Sequence, residues 1–464
     1  MLRLKVGKRV IKVTDIKTDS RLVKPGDLFI AYKGVNVDSH AFIDQAIQNG
    51  AKYIIGEKDI KFLSKFSKLN CDNYIKVCDG RQYWALLEAQ KYNNPERHLN
   101  IIGVTGTDGK TTTTHLIYEI LKSADKKVAL ISTIGAKIGD EQINTGAHTT
   151  TPPPDLLFRL LSTARDQKYQ YVILEITSHA LLQKRVYNIP LIAAGITNVT
   201  KEHLDIHKTY ENLIQTKASI SNMADTIFLV KHTPGFDEIK QELSIKEKNV
   251  KEISLSMLDD YDLNLFNKNF PGNYNKQNLA LAIAICRHIK IPRSQINKAL
   301  KSVVPPSGRF QKIKNKRKLN IVVDFAHTPN SQKEILTEIR QRKKPKSKVI
   351  TVFGAAGERD KYKRVQMGKV STSLSDVVII TSEDPRSEDP MKIATDIIKG
   401  NKQYPFIVEL NRKRAIAIAL KLASPYDWVV ILGKGHESSM DINGVEHKWS
   451  DINCVKAILK NYHD

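Results

Sequence analysis

The chain has 464 residues, more than a single hydrophobic core usually supports, so we expect two to four domains. We expect no membrane-spanning segment and no signal peptide, because the apolar runs are short and the first residues are polar. The net charge of +24 fits either a nucleic-acid-binding protein or an enzyme of anionic substrates with a lysine-rich surface. Because the basic residues are spread along the whole chain, we favour the second reading and expect no nucleic-acid partner.

The four cysteines have no metal-ligand spacing and stand at Cys71, Cys78, Cys286 and Cys454. We interpret them as reduced thiols of a cytoplasmic protein. Cys286 shares a predicted helical face with Leu279, Ala282 and Ile283, which indicates that it packs in the core.

Residues 1–97 are predicted to form a first domain, with turns at 24–27 and at Gly34 and a polar linker at 92–98. From Leu99 onward, strand and helix patterns alternate. Strands are predicted near 99–105, 128–133, 171–176, 191–198 and 225–231, and a helix near 274–288. This alternation predicts an α/β domain with a mostly parallel sheet and helices on both faces, which we place at 98–310.

A third domain is predicted at 311–464, after a break at 303–308. Thr328 and Asp389 each precede a proline, which marks two helix starts, and Gly400 marks the end of the second helix. Its strands are predicted near 319–325, 348–354, 376–382, 405–409 and 427–432.

The most informative motif joins the first strand of the second domain to the helix that follows. The apolar strand leads into a turn with Gly106 and Gly109, and Lys110 and Thr111 open the helix. The glycines let backbone N–H groups face phosphates, Lys110 supplies a positive charge, and the Thr111 hydroxyl can ligate Mg²⁺. The turn is therefore a P-loop with a shortened glycine spacing; the alternative is an ordinary glycine-rich turn.

Polar side chains also follow other strands of the second domain. Glu175 ends an apolar strand, where a carboxylate needs a partner such as Mg²⁺, unless it lies in solvent at the strand end. His203, Asp205 and His207 follow the next strand. They are a candidate second metal site or, alternatively, a plain surface loop.

Four polar loops end strands of the third domain, at 324–327, 353–360, 382–386 and 433–437. Because loops at the carboxyl ends of parallel strands meet at one edge of a sheet, these loops predict a charged cleft. Such a cleft suits a nucleotide and a small zwitterionic substrate better than an apolar ligand.

Taken in chain order, these segments resemble the Mur ligases, the ATP-dependent amino-acid ligases of peptidoglycan synthesis. The likeness runs from Asp19 to Asp451. It is carried by Asp19-Ser-Arg21, Lys24 to Phe29, Thr105 to Thr113, Thr150-Thr-Pro152, Glu175 to Arg185, Asn198 to His207, Gly272 to Asn275 with Asn278, Gly308-Arg309, Asp324 to Pro329, Gly354 to Arg364, Asp384-Pro-Arg386 and Gly433 to Glu437. The resemblance is strongest to the members that add the third amino acid to UDP-N-acetylmuramoyl-L-alanyl-D-glutamate.

The resemblance implies three domains: an N-terminal domain that binds the uridine nucleotide, a central ATPase domain and a Rossmann-like C-terminal domain that binds the amino acid. It implies a monomeric enzyme that forms an acyl phosphate from ATP and then an amide. The residues that it implies for ATP are Gly106, Thr107, Asp108, Gly109, Lys110, Thr111, Thr112, Asn278, Arg309 and Asp324. Those that it implies for Mg²⁺ are Thr111, Glu175, His203 and Lys217, and for catalysis Lys110, Lys217 and His203.

The resemblance likewise implies two groups of substrate-binding residues. Ser20 and Arg21 would lie near the UDP, and the rest of the UDP-MurNAc-dipeptide would be held by Thr150, Thr151, Ser178, Gln183 and Arg185. The free diamino acid would be held by Arg359, Asp384, Arg386, Gly433 and Glu437.

Lys217 falls where the family carries a carbamoylated lysine, and we expect the same modification here. Carbamoylation turns a cation into a pair of anionic oxygens, which suits a Mg²⁺ site. Without it, Lys217 would be a misplaced positive charge or a solvated helix residue.

The identity of the added amino acid stays open. Arg386, with Arg359 and Glu437, indicates meso-diaminopimelate, because a guanidinium can hold its distal carboxylate. The family commonly has Asp-Asn-Pro-Arg where this chain has Glu383-Asp-Pro-Arg386, and the extra charge of Asp384 could favour the terminal amine of lysine or ornithine.

Two further alternatives belong to other classes. A folylpolyglutamate-synthetase-like ligase would share the P-loop and the His203 region, but Asp19-Ser-Arg21 and Thr150-Thr-Pro152 argue against it. A nucleic-acid-dependent ATPase would hydrolyse ATP in response to DNA or RNA.

Overall fold

The computed structural model describes residues 1–34, 37–63, 69, 72–146, 149–267 and 269–460. Within these residues, three α/β units follow one another along the chain, each built on its own sheet. None of the described helices is both long and apolar enough to cross a bilayer. Cys71 lies outside the described residues, whereas Cys78, Cys286 and Cys454 are free thiols.

The N-terminal unit consists of a hairpin and a four-stranded parallel sheet of order β3-β4-β5-β6. Apolar residues that alternate along the hairpin, such as Leu4 and Val13, pack with the sheet in one core. The elements are β1 (Leu2–Val6), β2 (Arg9–Val13), β3 (Ile16–Lys17), β4 (Leu28–Ile30), α1 (Ile43–Gln48), β5 (Tyr53–Gly56), β6 (Tyr74–Lys76) and α2 (Gly80–Lys91).

The central unit has an eight-stranded sheet of order β10-β9-β8-β11-β7-β12-β13-β14, parallel from β8 to β14, with a separate apolar core on each face. Its strands are β7 (Asn100–Thr105), β8 (Val128–Ser132), β9 (Gly135–Ile138), β10 (Glu141–Ile143), β11 (Tyr171–Glu175), β12 (Ala193–Ile196), β13 (Ile227–Val230) and β14 (Val250–Ile253). Its helices are α3 (Lys110–Ser123), α4 (Pro154–Asp166), α5 (Ser178–Leu182), α6 (Leu204–His207), α7 (Tyr210–Ala218), α8 (Phe236–Ile245), α9 (Asp260–Phe266), α10 (Asn273–His288) and α11 (Arg293–Ser302).

The C-terminal unit has a six-stranded sheet of order β15-β16-β20-β17-β18-β19, parallel except for the edge strand β15, and a hairpin. Its strands are β15 (Gln311–Ile313), β16 (Asn320–Asp324), β17 (Val349–Phe353), β18 (Val377–Ile380), β19 (Ile407–Val408), β20 (Trp428–Leu432), β21 (Ser439–Ile442) and β22 (Val445–Lys448). Its helices are α12 (Pro329–Arg342), α13 (Tyr362–Leu374), α14 (Pro390–Ile398), α15 (Arg412–Leu422) and α16 (Asp451–Lys460).

The predicted α/β class with mostly parallel sheets is confirmed, and every strand predicted from residue 99 onward has a counterpart within a few residues. The strands from residue 99 onward that the sequence did not predict are edge strands or lie near an edge, namely β9, β10, β14 and β15, together with both strands of the hairpin β21 and β22. They are short and carry polar residues, as in Glu141-Gln-Ile143, so that pairing rather than local pattern makes them strands. Cys286 is fully buried, as predicted. The domain limits 1–97, 98–310 and 311–464 stay predictions.

Candidate active site

A cavity of about 720 Å³ lies between the loops of the central and C-terminal sheets. The P-loop, the end of β11 and the loop after β12 form one wall. The opposite wall comes from the C-terminal unit and includes members of all four predicted polar loops, among them Asp324, Arg359, Arg386 and Glu437. The charged cleft predicted from the sequence therefore exists, and it faces the P-loop.

Two glycines of the P-loop are required by its geometry. Gly106 and Gly109 have φ angles of 144° and 85°, in the region that other residues rarely adopt. A Cβ on Gly106 would lie 1.9 Å from Thr197 Oγ1, and one on Gly109 would lie 2.2 Å from Asn278 Oδ1. The loop can therefore keep its backbone N–H groups at the cavity only with glycine at both positions.

Lys110 stands at the first position of α3, where its ammonium folds back over the loop. Its Nζ donates to the carbonyls of Gly106 at 3.1 Å and Thr107 at 2.7 Å. These two carbonyls hold the Lys110 ammonium beside the P-loop backbone, where a bound phosphate would compete with them for it. With the exception of Gly106, the P-loop residues predicted to bind ATP line the cavity, namely Thr107, Asp108, Gly109, Lys110, Thr111 and Thr112.

Glu175 is only 1% exposed, so the alternative of a solvent-facing strand-end glutamate is wrong. Its Oε1 accepts hydrogen bonds from Thr111 Oγ1 at 3.0 Å and Thr133 Oγ1 at 2.9 Å, and its Oε2 accepts one from the Thr133 N–H at 3.0 Å. Arg309 Nη2 donates to the Thr111 hydroxyl at 3.0 Å. A hydroxyl, a carboxylate and a guanidinium thus converge beside the P-loop.

These oxygens fit Mg²⁺, which proteins commonly hold through one or two carboxylates together with substrate phosphates. Within the described part of the chain, no three His, Cys, Asp or Glu side chains cluster so that they could hold a metal. The fit is therefore to an ion shared with a nucleotide rather than to an all-protein site.

The structure does not gather His203, Asp205 and His207 into the predicted second metal site. His203 lines the cavity with φ 51° and packs against the ring of His179, with 4.5 Å between centroids. The ring of His207 points elsewhere, because its Nε2 lies 3.0 Å from Ser178 Oγ. Both rings pack against His179, with 4.5 Å between centroids for His203 and 6.1 Å for His207, but only His203 lines the cavity.

Lys217 lies behind the P-loop and is 1% exposed, so the alternative of a solvated helix residue is wrong. Its Nζ donates to the Gly106 carbonyl at 2.6 Å and to Glu202 Oε1 at 3.1 Å. Burial lowers the pKa of Lys217 to about 8, despite the opposing effect of Glu202. Although burial alone would raise it, the pKa of Glu202 lies below its ordinary value because Lys217 is adjacent.

The other predicted nucleotide residues lie across the cavity from the P-loop or beside it. Asn278 is buried and its Oδ1 accepts from Thr113 Oγ1 at 3.3 Å. The Arg309 guanidinium lies 4.4 Å from the ring centroid of Phe325. Asp324 accepts hydrogen bonds from the backbone N–H groups of Phe310 and Ala326, and it thereby fixes the loop that faces the P-loop.

The residues predicted for the dipeptide substrate form a chain of contacts that begins at Glu175. Thr151 Oγ1 donates to the Glu175 carbonyl at 2.9 Å, and Arg185 Nη1 donates to the Thr151 carbonyl at 2.7 Å. Gln183 Oε1 accepts from the Arg185 guanidinium at 2.8 Å and holds it toward the cavity. Thr150, Thr151 and Arg185 line the cavity, whereas Gln183 and Ser178 stand behind its wall.

The two residues predicted for the uridine end, Ser20 and Arg21, are not among the residues that line this cavity. Ser20 Oγ donates to Gln45 Oε1 at 2.6 Å within the N-terminal unit. The side chain of Arg21 is 77% exposed and pairs with Asp19. The structure therefore keeps this pair apart from the other predicted residues.

Two guanidinium groups line the part of the cavity wall that comes from the C-terminal unit. Arg386 has φ 54°, and its Nε has no hydrogen-bond partner within the described residues; the nearest carboxylate oxygen, on Asp441, is 3.9 Å away. Burial, and then the neighbouring Arg386, lowers the pKa of Arg359. Two adjacent guanidinium groups in one cavity wall form a receptor for carboxylates.

Asp384 is paired with a lysine inside the protein. Lys434 is fully buried, and its Nζ lies 2.7 Å from Asp384 Oδ1 and 2.6 Å from Glu437 Oε2. Gly433, at φ 107°, stands behind the wall, where a Cβ would lie 3.2 Å from Glu383 Cδ. The negative charge of Asp384, which argued against a substrate with a distal carboxylate, is therefore offset in part by Lys434.

Sequence reasoning missed five residues that take part in the site: Thr133, Glu202, Lys363, Glu383 and Lys434. Glu202 and Lys434 lie within two of the motifs described above. Each is next to a residue that was predicted to bind metal or substrate, namely His203 and Gly433. Thr133 gave no signal, because its role depends on contact with a glutamate 42 residues away.

Three family models match successive parts of the chain. They are the Mur ligase family, catalytic domain, at residues 12–92, the Mur ligase middle domain at 104–286, and the Mur ligase, glutamate ligase domain, at 308–435.

The chain is also similar to single proteins over nearly its whole length. It is 37% identical over 468 residues to the UDP-N-acetylmuramoyl-L-alanyl-D-glutamate–2,6-diaminopimelate ligase of Clostridium botulinum (strain ATCC 19397 / Type A), with 97% of this chain and 95% of that protein covered. A solved structure of a ligase of the same name aligns with a TM-score of 0.62 and 26% identity over 97% of this chain and 96% of that one. A Mycobacterium tuberculosis folylpolyglutamate synthase complexed with ADP also reaches 0.62, at 14% identity over 76% of this chain and 91% of that one, which shows a shared fold alone.

Proposed function

The chain belongs to the Mur ligase family, and we propose that it adds meso-diaminopimelate to UDP-N-acetylmuramoyl-L-alanyl-D-glutamate with ATP. The observation that carries the choice of amino acid is the pair Arg359 and Arg386, which share one cavity with the P-loop. A diamino acid with carboxylates at both ends suits two guanidinium groups, whereas lysine and ornithine have a single carboxylate.

The reaction has two steps. The D-glutamate carboxylate attacks the γ-phosphorus of ATP, ADP leaves, and an acyl phosphate forms. The amine of diaminopimelate then attacks the acyl carbon, the amide bond forms, and phosphate leaves. Enclosure between two domains protects the acyl phosphate from water.

The chain's own residues would hold the reacting groups in line. Lys110 exchanges its loop carbonyls for the phosphates of ATP, and Arg309 neutralises phosphate charge from the opposite domain. Mg²⁺, held by Thr111, Glu175 and His203, would neutralise further charge on the phosphates. Carbamoylated Lys217 would add anionic oxygens at the same place, and its lowered pKa supports this, because the neutral amine is the form that reacts with CO₂.

The remaining assignments are proposals of the same kind. Thr150, Thr151, Ser178, Gln183 and Arg185 would hold the dipeptide arm, and Ser20 and Arg21 the uridine nucleotide. Asn278 would contact adenine, with Asp324 ordering the loop opposite. The nucleotide substrates favour a cytoplasmic enzyme, and we expect a monomer.

The experiment is phosphate release from ATP in the presence of the UDP-MurNAc-dipeptide and a panel of amino acids. We expect release with meso-diaminopimelate and little with L-lysine or L-ornithine. Phosphate release that depends on folate and glutamate, or on DNA or RNA, would support the other classes instead.

A further inference from the structure

Glu383 is a buried carboxylate to which neither the family resemblance nor the mechanism above gives a role. It is 6% exposed, it lines the cavity, and its Oε2 has no hydrogen-bond partner within the described part of the chain. Gly433 leaves the space that this side chain occupies, since a Cβ there would lie 3.2 Å from Glu383 Cδ. A buried carboxylate oxygen without a partner is costly, and it needs a reason.

The cations nearest to Glu383 are engaged elsewhere. Lys434 is held by Asp384 and Glu437, and Lys363 Nζ donates to the His327 carbonyl at 3.1 Å. The guanidinium of Arg412 is paired with Asp451 at 2.7 Å. Within the described residues, no cation therefore pairs with Glu383 directly, although Lys363, Lys434 and Arg412 face it together with the carboxylates Asp384 and Glu437.

These surroundings set the protonation of Glu383. Burial, and then the neighbouring Asp384, raises the pKa of Glu383 to about 7, against the opposing effect of Lys363 and Lys434. A group of this pKa is charged above pH 7 and accepts a proton readily, which is the property of an efficient general base near neutral pH.

Glu383 lines the same cavity as the P-loop, and Lys363 faces both Glu383 and Glu202, the partner of Lys217. Glu383 lies three residues before Arg386, so that a carboxylate acceptor and a carboxylate-binding guanidinium stand on one loop. An amino acid arrives as a zwitterion, and its ammonium group cannot attack a carbonyl carbon until it loses a proton. None of the residues assigned above removes this proton.

We propose that Glu383 is the catalytic base that deprotonates the ammonium group of the incoming amino acid; this rests on the proposed function. One N–H proton moves to the Glu383 carboxylate, and the freed electron pair of nitrogen forms the C–N bond at the acyl phosphate carbon. The C–O bond to phosphate then breaks with its electron pair on oxygen. The second proton leaves the tetrahedral nitrogen with the departing phosphate, and Glu383 returns its proton to solvent.

The test compares two nucleophiles in wild type and Glu383→Gln. Diaminopimelate needs deprotonation, whereas hydroxylamine is already neutral at neutral pH and intercepts the acyl phosphate as a hydroxamate without a base. In Glu383→Gln we expect kcat with diaminopimelate to fall about 100-fold or more, with KM little changed and hydroxamate formation retained. Glu383→Asp should regain part of kcat, and Glu446→Gln, at an exposed position of β22, should behave as wild type.

The pH profile gives a second readout. The kcat/KM for diaminopimelate should rise through about pH 7 in wild type, and this limb should vanish in Glu383→Gln. An unchanged kcat and limb, or a raised KM with normal kcat, would overturn the proposal, the latter by making Glu383 a binding group only. Equal loss of hydroxamate and amide in a folded variant would overturn it too. Failure of the proposed function has a separate signature, since wild type would then form neither product from the UDP-MurNAc-dipeptide.

Discussion

The side-chain amide of Asn330 donates to the P-loop carboxylate of Asp108, with 2.9 Å between Nδ2 and Oδ2. Asn330 lies in the first turn of α12, and the cap of that helix, Thr328, donates to the same carboxylate at 3.3 Å. Burial raises the pKa of Asp108, whereas the hydrogen bonds from Asn330 and Thr328 lower it because they stabilise the charged carboxylate. This contact joins the C-terminal unit to the P-loop.

Exchanging the two side chains tests this contact. Asn330→Asp places a second carboxylate against Asp108, so that neither side chain donates a hydrogen bond to the other. We expect this change to lower kcat/KM for ATP about 10- to 100-fold. The double variant Asp108→Asn, Asn330→Asp restores one amide and one carboxylate and should recover most of the loss. Steady-state kinetics of both variants and of Asp108→Ala decide the point. A double variant no better than Asn330→Asp would show that the contact does not couple the domains.

Lys110→Ala should abolish turnover and leave the fold intact. Among the described residues, the Lys110 ammonium donates only to backbone carbonyls of its own loop, so its loss removes charge from the phosphate site without opening the core. Phosphate release and the melting temperature are the measurements, with Lys122→Ala, an exposed lysine in the last turn of the same helix, as the matched control. Persisting ATP-dependent ligation in Lys110→Ala would contradict the P-loop assignment.

Lys217→Ala should be nearly inactive and partly rescued by a short-chain carboxylate such as acetate at high concentration. The diffusible carboxylate would replace the anionic oxygens of a carbamate. Lys217→Arg, which keeps the charge but cannot be carbamoylated, should stay inactive and resist rescue. Normal turnover of Lys217→Ala without any additive would remove the modification from the mechanism.

The pH dependence of the same residue follows from its environment. With a pKa of about 8, Lys217 is neutral for about a tenth of molecules at pH 7, against about one in a few thousand for an ordinary lysine. Carbamoylation should therefore weaken as pH falls below 8. Enzyme freed of CO₂ at low pH should lose activity and regain it when bicarbonate is added at pH 8.

A feature of the site could be predicted from the sequence when it depends on neighbouring residues, and not when it depends on residues far apart in the chain. The P-loop is a local motif, so Gly106, Gly109 and Lys110 could be identified from the sequence. The alternation of strands and helices predicted that Glu175 lies at the same sheet edge as the P-loop. The contact between Asp108 and Asn330 spans 222 residues and depends on domain packing. The ion pair between Lys434 and Asp384 also depends on packing, and neither periodicity nor residue spacing predicts it.

Burial was the other quantity that the sequence could not supply. Glu175 and Lys217 were each compatible with a solvent-facing position, and only the packed structure shows both side chains at 1% exposure. The histidines illustrate the reverse error. His203 and His207 are near in sequence and both pack against His179, but His207 Nε2 lies beside Ser178 Oγ, and no metal-binding cluster forms among the described residues.

Arg386 should decide the amino acid, and Asp384 should not. The Arg386 guanidinium lines the cavity beside Arg359, and its nearest carboxylate oxygen, on Asp441, lies beyond hydrogen-bonding distance at 3.9 Å. A distal carboxylate on the substrate can therefore take two parallel hydrogen bonds there, whereas lysine or ornithine would leave the half-buried guanidinium without them. Such a difference can reach roughly 10⁴ in kcat/KM.

The measurement is kcat/KM for meso-diaminopimelate, lysine and ornithine in wild type, Arg386→Ala and Asp384→Asn. Wild type should prefer diaminopimelate, and Arg386→Ala should lose most of that activity while its KM for ATP stays unchanged. Asp384→Asn should keep the preference, because Asp384 is paired with Lys434 and, in the variant, Glu437 still holds Lys434. A clear preference of wild type for lysine or ornithine would mean that Arg386 serves a structural pair with Asp441, and the specificity argument would then be wrong.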